Sequence, residues 1–109
     1  MWSMLVRLTS RDFMNGKLNR PGVMVVMFYA DWCPFSIAFK PMFEDFARKE
    51  RLDCGEVNIS HYEDPLWEQF QITVVPSLLV FKDGELIRRK DGVPLRGLSK
   101  ADLDEATSN

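Results

Sequence analysis

The longest apolar run of the chain, from Val23 to Ala30, shows no alternation of apolar and polar residues. A continuous run of this length predicts a strand covered on both faces, as in the middle of an α/β sheet. Pro34 then opens a second segment, because proline suits the first position of a helix. The apolar residues of that segment recur at helical spacing, namely Phe39, Met42, Phe43, Phe46 and Ala47. The pattern therefore predicts a buried strand that passes directly into a helix.

The same reading along the whole chain predicts alternating strands and helices. The predicted strands are 4–8, 23–30, 52–59, 77–81 and 85–90. The predicted helices are 34–50, 63–70, 99–109 and a first one that begins at Thr9 and ends near Asn15-Gly16 or at Asn19. Thr9 or Ser10 would cap the first helix and Ser99 the last one. Asp83-Gly84 predicts a hairpin turn between the last two strands. The order predicts an α/β sheet whose parallel strands are followed by an antiparallel hairpin.

Bulk composition narrows the class of protein further. The chain has 109 residues, 46% of them hydrophobic, and a formal net charge of −2. These values predict one domain over 1–109, and they argue against nucleic-acid or membrane-surface partners. A monomer is favoured, and the oligomeric state is left open. No apolar run approaches the roughly 20 residues that a membrane helix needs. If Met1 is the native start, the segment after it is too short for a secretory signal, which predicts a cytoplasmic protein.

Candidate chemistry centres on Cys33, which lies between the buried strand and the following helix. Because Pro34 biases the residue before it away from helical angles, Cys33 is the predicted N-cap. Its sulfur would then lie near the N–H groups of Phe35 and Ser36, where the helix N-terminus favours a thiolate. The alternative, a small buried hydrophobe, fits the Trp32-Cys33-Pro34 context less well.

Several further stretches match one known family in order and spacing. They are Phe28-Tyr29-Ala30-Asp31-Trp32-Cys33, Ser36, Pro41, Val57-Asn58-Ile59, the run 74–85, Gly92 and Leu98-Ser99-Lys100. In these residues the chain resembles the thioredoxin superfamily over nearly its whole length. The resemblance implies a thioredoxin fold, in which a central mixed sheet of four to five strands carries helices on both faces.

The resemblance also implies roles for residues near Cys33. Cys33 would be the nucleophile and Pro76 a cis-proline beside it. The backbone of Val75 would pair with an extended substrate peptide, and Trp32 would shield the sulfur. Pro34 and Phe35 belong to the active-site turn and are predicted to contact partners. Partial packing is the alternative for Phe35.

Three positions depart from the family pattern. Ser36 stands where the second active-site cysteine is expected, Met27 replaces a buried acid, and Glu56 replaces the lysine usually paired with that acid. A hydroxyl does not attack disulfides at useful rates, so these departures argue against dithiol reductase chemistry. The Cys-x-x-Ser site is similar to monothiol members of the protein disulfide isomerase group and to plant sulfate-reductase-like proteins.

The residues leave three functional hypotheses open. In the first, Cys33 forms mixed disulfides with protein thiols or glutathione, and the Ser36 hydroxyl donates a hydrogen bond to the thiolate while an ionised Glu56 opposes it. In the second, the protein is a binding module that has lost dithiol redox activity. In the third, Cys54 resolves the mixed disulfide, although core packing is its simpler interpretation.

Other catalytic and metal-binding classes lack the residues that they need. His61 is the one histidine of the chain and is distant in sequence from Cys33, so a Cys/His hydrolase is not predicted. One histidine and two separated cysteines do not predict a metal site. There is no Gly-rich phosphate loop, and no cofactor is predicted.

Overall fold

The computed structural model of the chain describes residues 4–50 and 52–108. The strands are β1 (Leu5–Leu8), β2 (Phe13–Met14), β3 (Lys17–Leu18), β4 (Val23–Tyr29), β5 (Asp53–Asn58), β6 (Ser77–Lys82) and β7 (Glu85–Asp91). The helices are α1 (Pro34–Lys49), α2 (Leu66–Gln69) and α3 (Lys100–Thr107), with one 3₁₀ turn at Ser10–Asp12.

Five strands form the central sheet, in the order β1-β5-β4-β6-β7. The central strand β4 runs parallel to β5 and antiparallel to β6, and β7 completes the antiparallel edge. Residues 24–30 are all buried, because neighbouring strands flank β4 and both of its faces are covered. The mixed sheet with a buried central strand is therefore confirmed, although Val23 is exposed and the strand ends at Tyr29.

Alternate residues of β4 enter two separate cores. Met24, Val26 and Phe28 lie in a hairpin-side core, which includes Phe13, Leu18, Leu66, Phe70 and Val75. Val25, Met27 and Tyr29 lie in a helix-side core, which includes Phe39, Phe43, Phe46, Leu103 and Ala106. Since α2 contributes to the first core and α1 and α3 to the second, helices cover both faces as expected.

The predicted first helix, from Thr9 to Asn15-Gly16 or Asn19, is wrong. Thr9 is an N-cap as expected, and it forms a capping box with Asp12, but the helix is a single 3₁₀ turn. The chain then forms a two-stranded antiparallel ribbon, β2 and β3. Asn15 and Gly16 have φ of 53° and 77°, and this pair of left-handed residues closes a tight hairpin rather than continuing a helix.

The remaining elements differ from the prediction mainly at their ends. The helix predicted over 63–70 is confined to α2, which begins after Pro65, and the Asp64 carboxylate accepts a hydrogen bond from the Leu66 N–H. The Asp83-Gly84 turn is confirmed, and so is the Ser99 cap. α1 continues through Pro41. The predicted helix end at Asn109 and the start at Met1 lie outside the described residues.

Candidate functional site

The turn between β4 and α1 holds Cys33 at the edge of the hairpin-side core. Cys33 is the N-cap of α1 and Pro34 is its first residue, as predicted. The Cys33 N–H donates to the Ala30 carbonyl at 3.2 Å, which closes the turn. The residue is only 8% exposed. The sequence at this point therefore fixes a thiol at a helix N-terminus with limited access to solvent.

The Cys33 sulfur faces the segment that precedes β6. Its thiol donates to the Val75 carbonyl, with 3.4 Å between Sγ and the oxygen, and the Val75–Pro76 peptide bond is cis. The sulfur accepts no hydrogen bond from the N–H groups of Phe35 and Ser36, because no side-chain hydrogen bond caps α1. The thiol proton has a carbonyl acceptor instead.

Ser36 is fully buried one turn into α1. Its Oγ accepts a hydrogen bond from the Ala30 N–H at 3.3 Å. The predicted hydrogen bond from this hydroxyl to the Cys33 sulfur is not formed among the described contacts. The physical reason is local, because the buried amide at the end of β4 needs an acceptor and Ser36 supplies it.

Trp32 lies beside the thiol and is half exposed. Its Nε1–H donates to the Ser60 carbonyl at 2.8 Å. Its ring stacks near Tyr62 and Trp67, with centroid distances of 5.3 Å and 6.4 Å. Sequence reasoning missed Tyr62 and Trp67, since nothing in the local pattern links the loop after β5 to the turn before α1.

Phe35 is half-buried against the hairpin-side core and the loop that follows β7. Gly97 has φ of 77°, and a Cβ added there would lie 2.7 Å from the Phe35 Cβ. A side chain at position 97 would therefore collide with Phe35. Phe35 thus shows the partial packing that was its alternative interpretation, while Pro34 beside it is exposed.

The segment at Pro76 is held from the side of β7. Ser77 Oγ donates to the Val74 carbonyl at 2.7 Å and accepts from the Gly92 N–H at 3.3 Å. A Cβ at Gly92 would lie 2.4 Å from the Pro76 carbonyl oxygen, so only glycine permits this approach. Both supporting residues were missed as site residues, although Gly92 was among the positions that match the family.

Glu56 belongs to an ionisable cluster on the other face of the sheet. Its carboxylate is 3.9 Å from Lys40 Nζ, and that ammonium also bonds Glu44 at 2.9 Å and lies 5.5 Å from the centroid of the Tyr29 ring. Burial, and then the neighbouring Glu44, raise the pKa of Glu56 to about 7. The structure thus joins Glu56 to α1, within a cluster that does not include the sulfur of Cys33.

Cys54 lies in the helix-side core, whereas Cys33 lies in the hairpin-side core. The Cys54 thiol donates to the Leu52 carbonyl at 3.5 Å, and burial raises its pKa to about 12. Both cysteines are free thiols. The structure does not bring them together, and it places Cys54 where the packing interpretation expects it.

His61 lies on the surface loop after β5, with its side chain 88% exposed. Its nearest charged group is Glu63, at 4.0 Å from Nδ1. Within residues 4–50 and 52–108, no group of three or more acids, cysteines and histidines is arranged to hold a metal ion. No helix in this part of the chain is long and apolar enough to cross a membrane.

Comparison with known proteins places this arrangement in a family. The sequence profile of the thioredoxin family matches residues 4–105. The chain belongs to the thioredoxin family. It is 30% identical to a thioredoxin-like protein of Fusarium culmorum over 107 residues, covering 94% of this chain and 88% of that protein. It is 27% identical to thioredoxin C-2 of Corynebacterium nephridii, covering 96% and 98%.

The fold is shared with thioredoxins of known structure. The reduced thioredoxin pre-protein of Schistosoma mansoni superposes with a TM-score of 0.72 over 94% of each chain, at 20% sequence identity. Membership of the thioredoxin family supports a thioredoxin-type redox protein. The position of Ser36 is then the main chemical departure to explain.

Proposed function

We propose that this protein is a monothiol member of the thioredoxin family, in which Cys33 forms mixed disulfides with protein thiols or glutathione. One observation carries the proposal. The active-site turn presents a single thiol against the Val75 carbonyl, while the other thiol of the described residues, Cys54, is buried in the opposite core.

The proposed step is one exchange of sulfur partners. The Cys33 thiol releases its proton to solvent, and the thiolate attacks one sulfur of a disulfide. A new S–S bond forms to Cys33, the old S–S bond breaks, and the departing thiolate takes the electron pair. Ser36 has no sulfur and its oxygen is occupied by the Ala30 N–H, so the mixed disulfide persists until an external thiol attacks it.

We propose that the backbone at Val75 holds the partner as an extended peptide. The Val75 N–H has no acceptor among the described residues, and the carbonyl of the same residue faces the Cys33 sulfur. A strand-like segment beside the cis-proline could therefore exchange backbone hydrogen bonds with Val75 while its sulfur meets Cys33. Trp32 and Pro34 lie exposed on either side of the thiol in the sequence and complete this contact surface.

Oxidised glutathione tests the proposal. We expect incubation followed by intact-protein mass spectrometry to show one glutathionyl group per chain, removed by dithiothreitol. Cys33→Ala should abolish the adduct, whereas Cys54→Ala should retain it, because that thiol is buried in the native state. A wild-type protein that forms no adduct would contradict the monothiol proposal.

A second candidate function is an adaptor that retains the binding surface without redox chemistry. Two observations favour it. The Cys33 sulfur accepts no capping hydrogen bond from an N–H group of α1, and the Ser36 hydroxyl is hydrogen-bonded to Ala30 and not to the sulfur. The two candidates differ in their need for sulfur. An adaptor would keep its protein partner after Cys33→Ala, whereas a monothiol exchanger would lose covalent capture.

A further inference from the structure

Three aromatic rings form a cluster, and one of them belongs to Trp32, which directly precedes Cys33 in the chain. The ring of Trp32 lies 5.3 Å from that of Tyr62 and 6.4 Å from that of Trp67, and the remaining pair is 6.1 Å apart. Their planes are nearly parallel, at interplanar angles of 28°, 8° and 28°. Tyr62 is 73% exposed and Trp32 is 48% exposed. We call these three residues the aromatic cluster.

The aromatic cluster has little hydrogen-bonding capacity left at its indoles. The Trp32 Nε1–H donates to the Ser60 carbonyl, and the Trp67 Nε1–H donates to the carbonyls of Ile59 and His61. What the exposed rings offer to a partner is therefore their apolar surface and their π-electron faces. A polar partner without charge gains little from such a surface, but a cation is attracted to it.

An acid adjoins each ring in the sequence. The three pairs are Asp31-Trp32, Tyr62-Glu63 and Trp67-Glu68. All three acids are exposed, and no lysine or arginine among the described residues pairs with them. Elsewhere on the surface exposed acids do have such partners, as in Glu85–Lys17, Asp104–Lys100 and Glu105–Lys90.

The lack of cations extends along the segments that build this end of the molecule. No lysine or arginine occurs within 21–39 or within 52–81. The first segment carries the turn with Cys33, and the second carries the loop and helix that supply Tyr62, Trp67 and the Val75–Pro76 bond. The polar partners that the described residues do give these acids are the Asn58 amide, which donates to Asp31 at 2.9 Å, and His61, whose Nδ1 lies 4.0 Å from Glu63. Among the described residues this negative, aromatic surface has no lysine or arginine as countercharge.

From this complementarity we propose that the aromatic cluster and its three acids bind an arginine side chain of the protein segment whose sulfur Cys33 captures. A guanidinium stacks on an aromatic face and at the same time bonds carboxylates in its plane, which the more strongly hydrated ammonium of lysine does less well. The inference rests on the proposed function for its covalent step. It adds a partner chemistry, namely a cationic segment next to a cysteine.

Peptide disulfides test the proposal with a rate. Matched peptides would carry one cysteine joined to 2-nitro-5-thiobenzoate and, two residues away, arginine, lysine, neutral citrulline or glutamate. Attack by Cys33 joins the peptide to the protein and releases the coloured thiolate. We expect the arginine peptide to react about fivefold faster than the citrulline peptide at low salt, with the glutamate peptide slowest. The advantage should shrink as salt is added.

Variants locate the effect on the surface. Glu63→Gln and Tyr62→Ala should each reduce the preference for arginine over citrulline, while Glu85→Gln, which removes the same charge at the distant β6–β7 turn, should leave it unchanged. Equal rates for arginine and citrulline peptides in the wild-type protein would overturn the proposal. So would a preference that survives both cluster variants.

A binding measurement separates this proposal from the redox function. The same arginine and citrulline peptides, with serine in place of cysteine, would be titrated into Cys33→Ser protein while tryptophan fluorescence is followed. Tighter binding of arginine supports the docking surface even if no peptide reacts with Cys33. Reaction of all peptides without any charge preference, together with equal binding, would leave the monothiol function standing and refute the arginine site.

Discussion

At the scale of single residues, Ser36 is the most informative position. A reader of the sequence sees a serine in place of a cysteine and assigns it to the sulfur chemistry. In the structure, the Ser36 oxygen accepts a hydrogen bond from the N–H of Ala30, the residue after β4. Ser36 thus holds the active-site turn to the strand before it, and its contribution is to the geometry around Cys33.

Replacing Ser36 by alanine tests this structural role. We expect Ser36→Ala to lower the free energy of unfolding by about 1–3 kcal/mol, because the buried Ala30 N–H loses its acceptor. Urea denaturation would measure the loss. Thr73→Ala, an exposed hydroxyl deletion close to the site, should change stability by less than about 0.5 kcal/mol. An unchanged midpoint for Ser36→Ala would show that water or another group satisfies the amide.

Much of the site was predictable at this scale, because one local rule or one motif places each residue. Proline after Cys33 indicates the N-cap, and the resemblance implies Pro76 beside it. The contacts of Ser36 and the aromatic cluster were not predictable, since they depend on where β5 and its loop bring Ser60, Tyr62 and Trp67. Such contacts arise from the tertiary arrangement and leave no spacing signal in one sequence.

At the scale of elements, α1 and β5 enclose a pair of carboxyl groups. Lys40 and Glu44 are four residues apart on α1, and Glu56 faces them from the buried strand β5. The Oε2 atom of Glu56 is buried without a hydrogen-bond partner. The raised pKa of Glu56 agrees with this, because a protonated carboxyl can donate that bond to Glu44.

The pH dependence of stability follows from this pair. The folded pKa of Glu56 is about 7 against an ordinary value of 4.5, so the folded state holds the proton more tightly. The stabilisation from this group is complete at low pH and is lost as pH rises through about 7. Lys40, Glu44, Tyr29 and Arg7 are the other titratable groups that act around it.

Glu56→Gln should remove this dependence, because the amide stays neutral and can still donate to Glu44. We expect the unfolding free energy of the variant, relative to that of the wild type, to increase by about 1–3 kcal/mol as pH rises from about 5 to about 8. Urea denaturation at several pH values would measure the gain, with Glu85→Gln as an exposed control. A constant difference between variant and wild type would contradict the raised pKa.

The predicted first helix shows why a prediction of element type can fail where two local sequence signals conflict. Thr9 and Asp12 form a capping box, and a reader expects a helix to follow it. Asn15-Gly16 is also a strong hairpin signal, but each strand beside it has only two residues, too few to show alternation. Phe13 and Leu18 then complete the hairpin-side core, so packing decides between the two signals.

At the scale of the whole molecule, the sheet separates the two sulfurs. Cys54 lies opposite Val25, near the start of β4, whereas Cys33 follows the far end of that strand. Four residues of extended strand from Val25 to Tyr29 span about 13 Å, well beyond the roughly 7 Å between Cα atoms that a disulfide permits. This spacing and their placement in opposite cores argue against a resolving role for Cys54 in the folded chain.

Thiol labelling tests this separation. We expect iodoacetamide near neutral pH to modify one cysteine in the native protein and both cysteines in urea. The native label should map to Cys33 by peptide mass spectrometry, because burial raises the pKa of Cys54 to about 12 and excludes the reagent. Labelling of Cys54 at a comparable rate without denaturant would show that the helix-side core opens readily.

If Cys33 captures partners as proposed, the burial of Cys54 leaves the lifetime of the mixed disulfide to thiols outside the protein. Because no second thiol of the described residues lies near Cys33, no thiol of the folded protein can attack the mixed disulfide and release the partner. The rate of release would then be proportional to the concentration of free thiol in the solution. A tenfold higher thiol concentration would shorten the lifetime of the mixed disulfide about tenfold. The lifetime of each mixed disulfide would therefore depend on the thiol concentration of the solution. The folded chain would determine only which partner is bound.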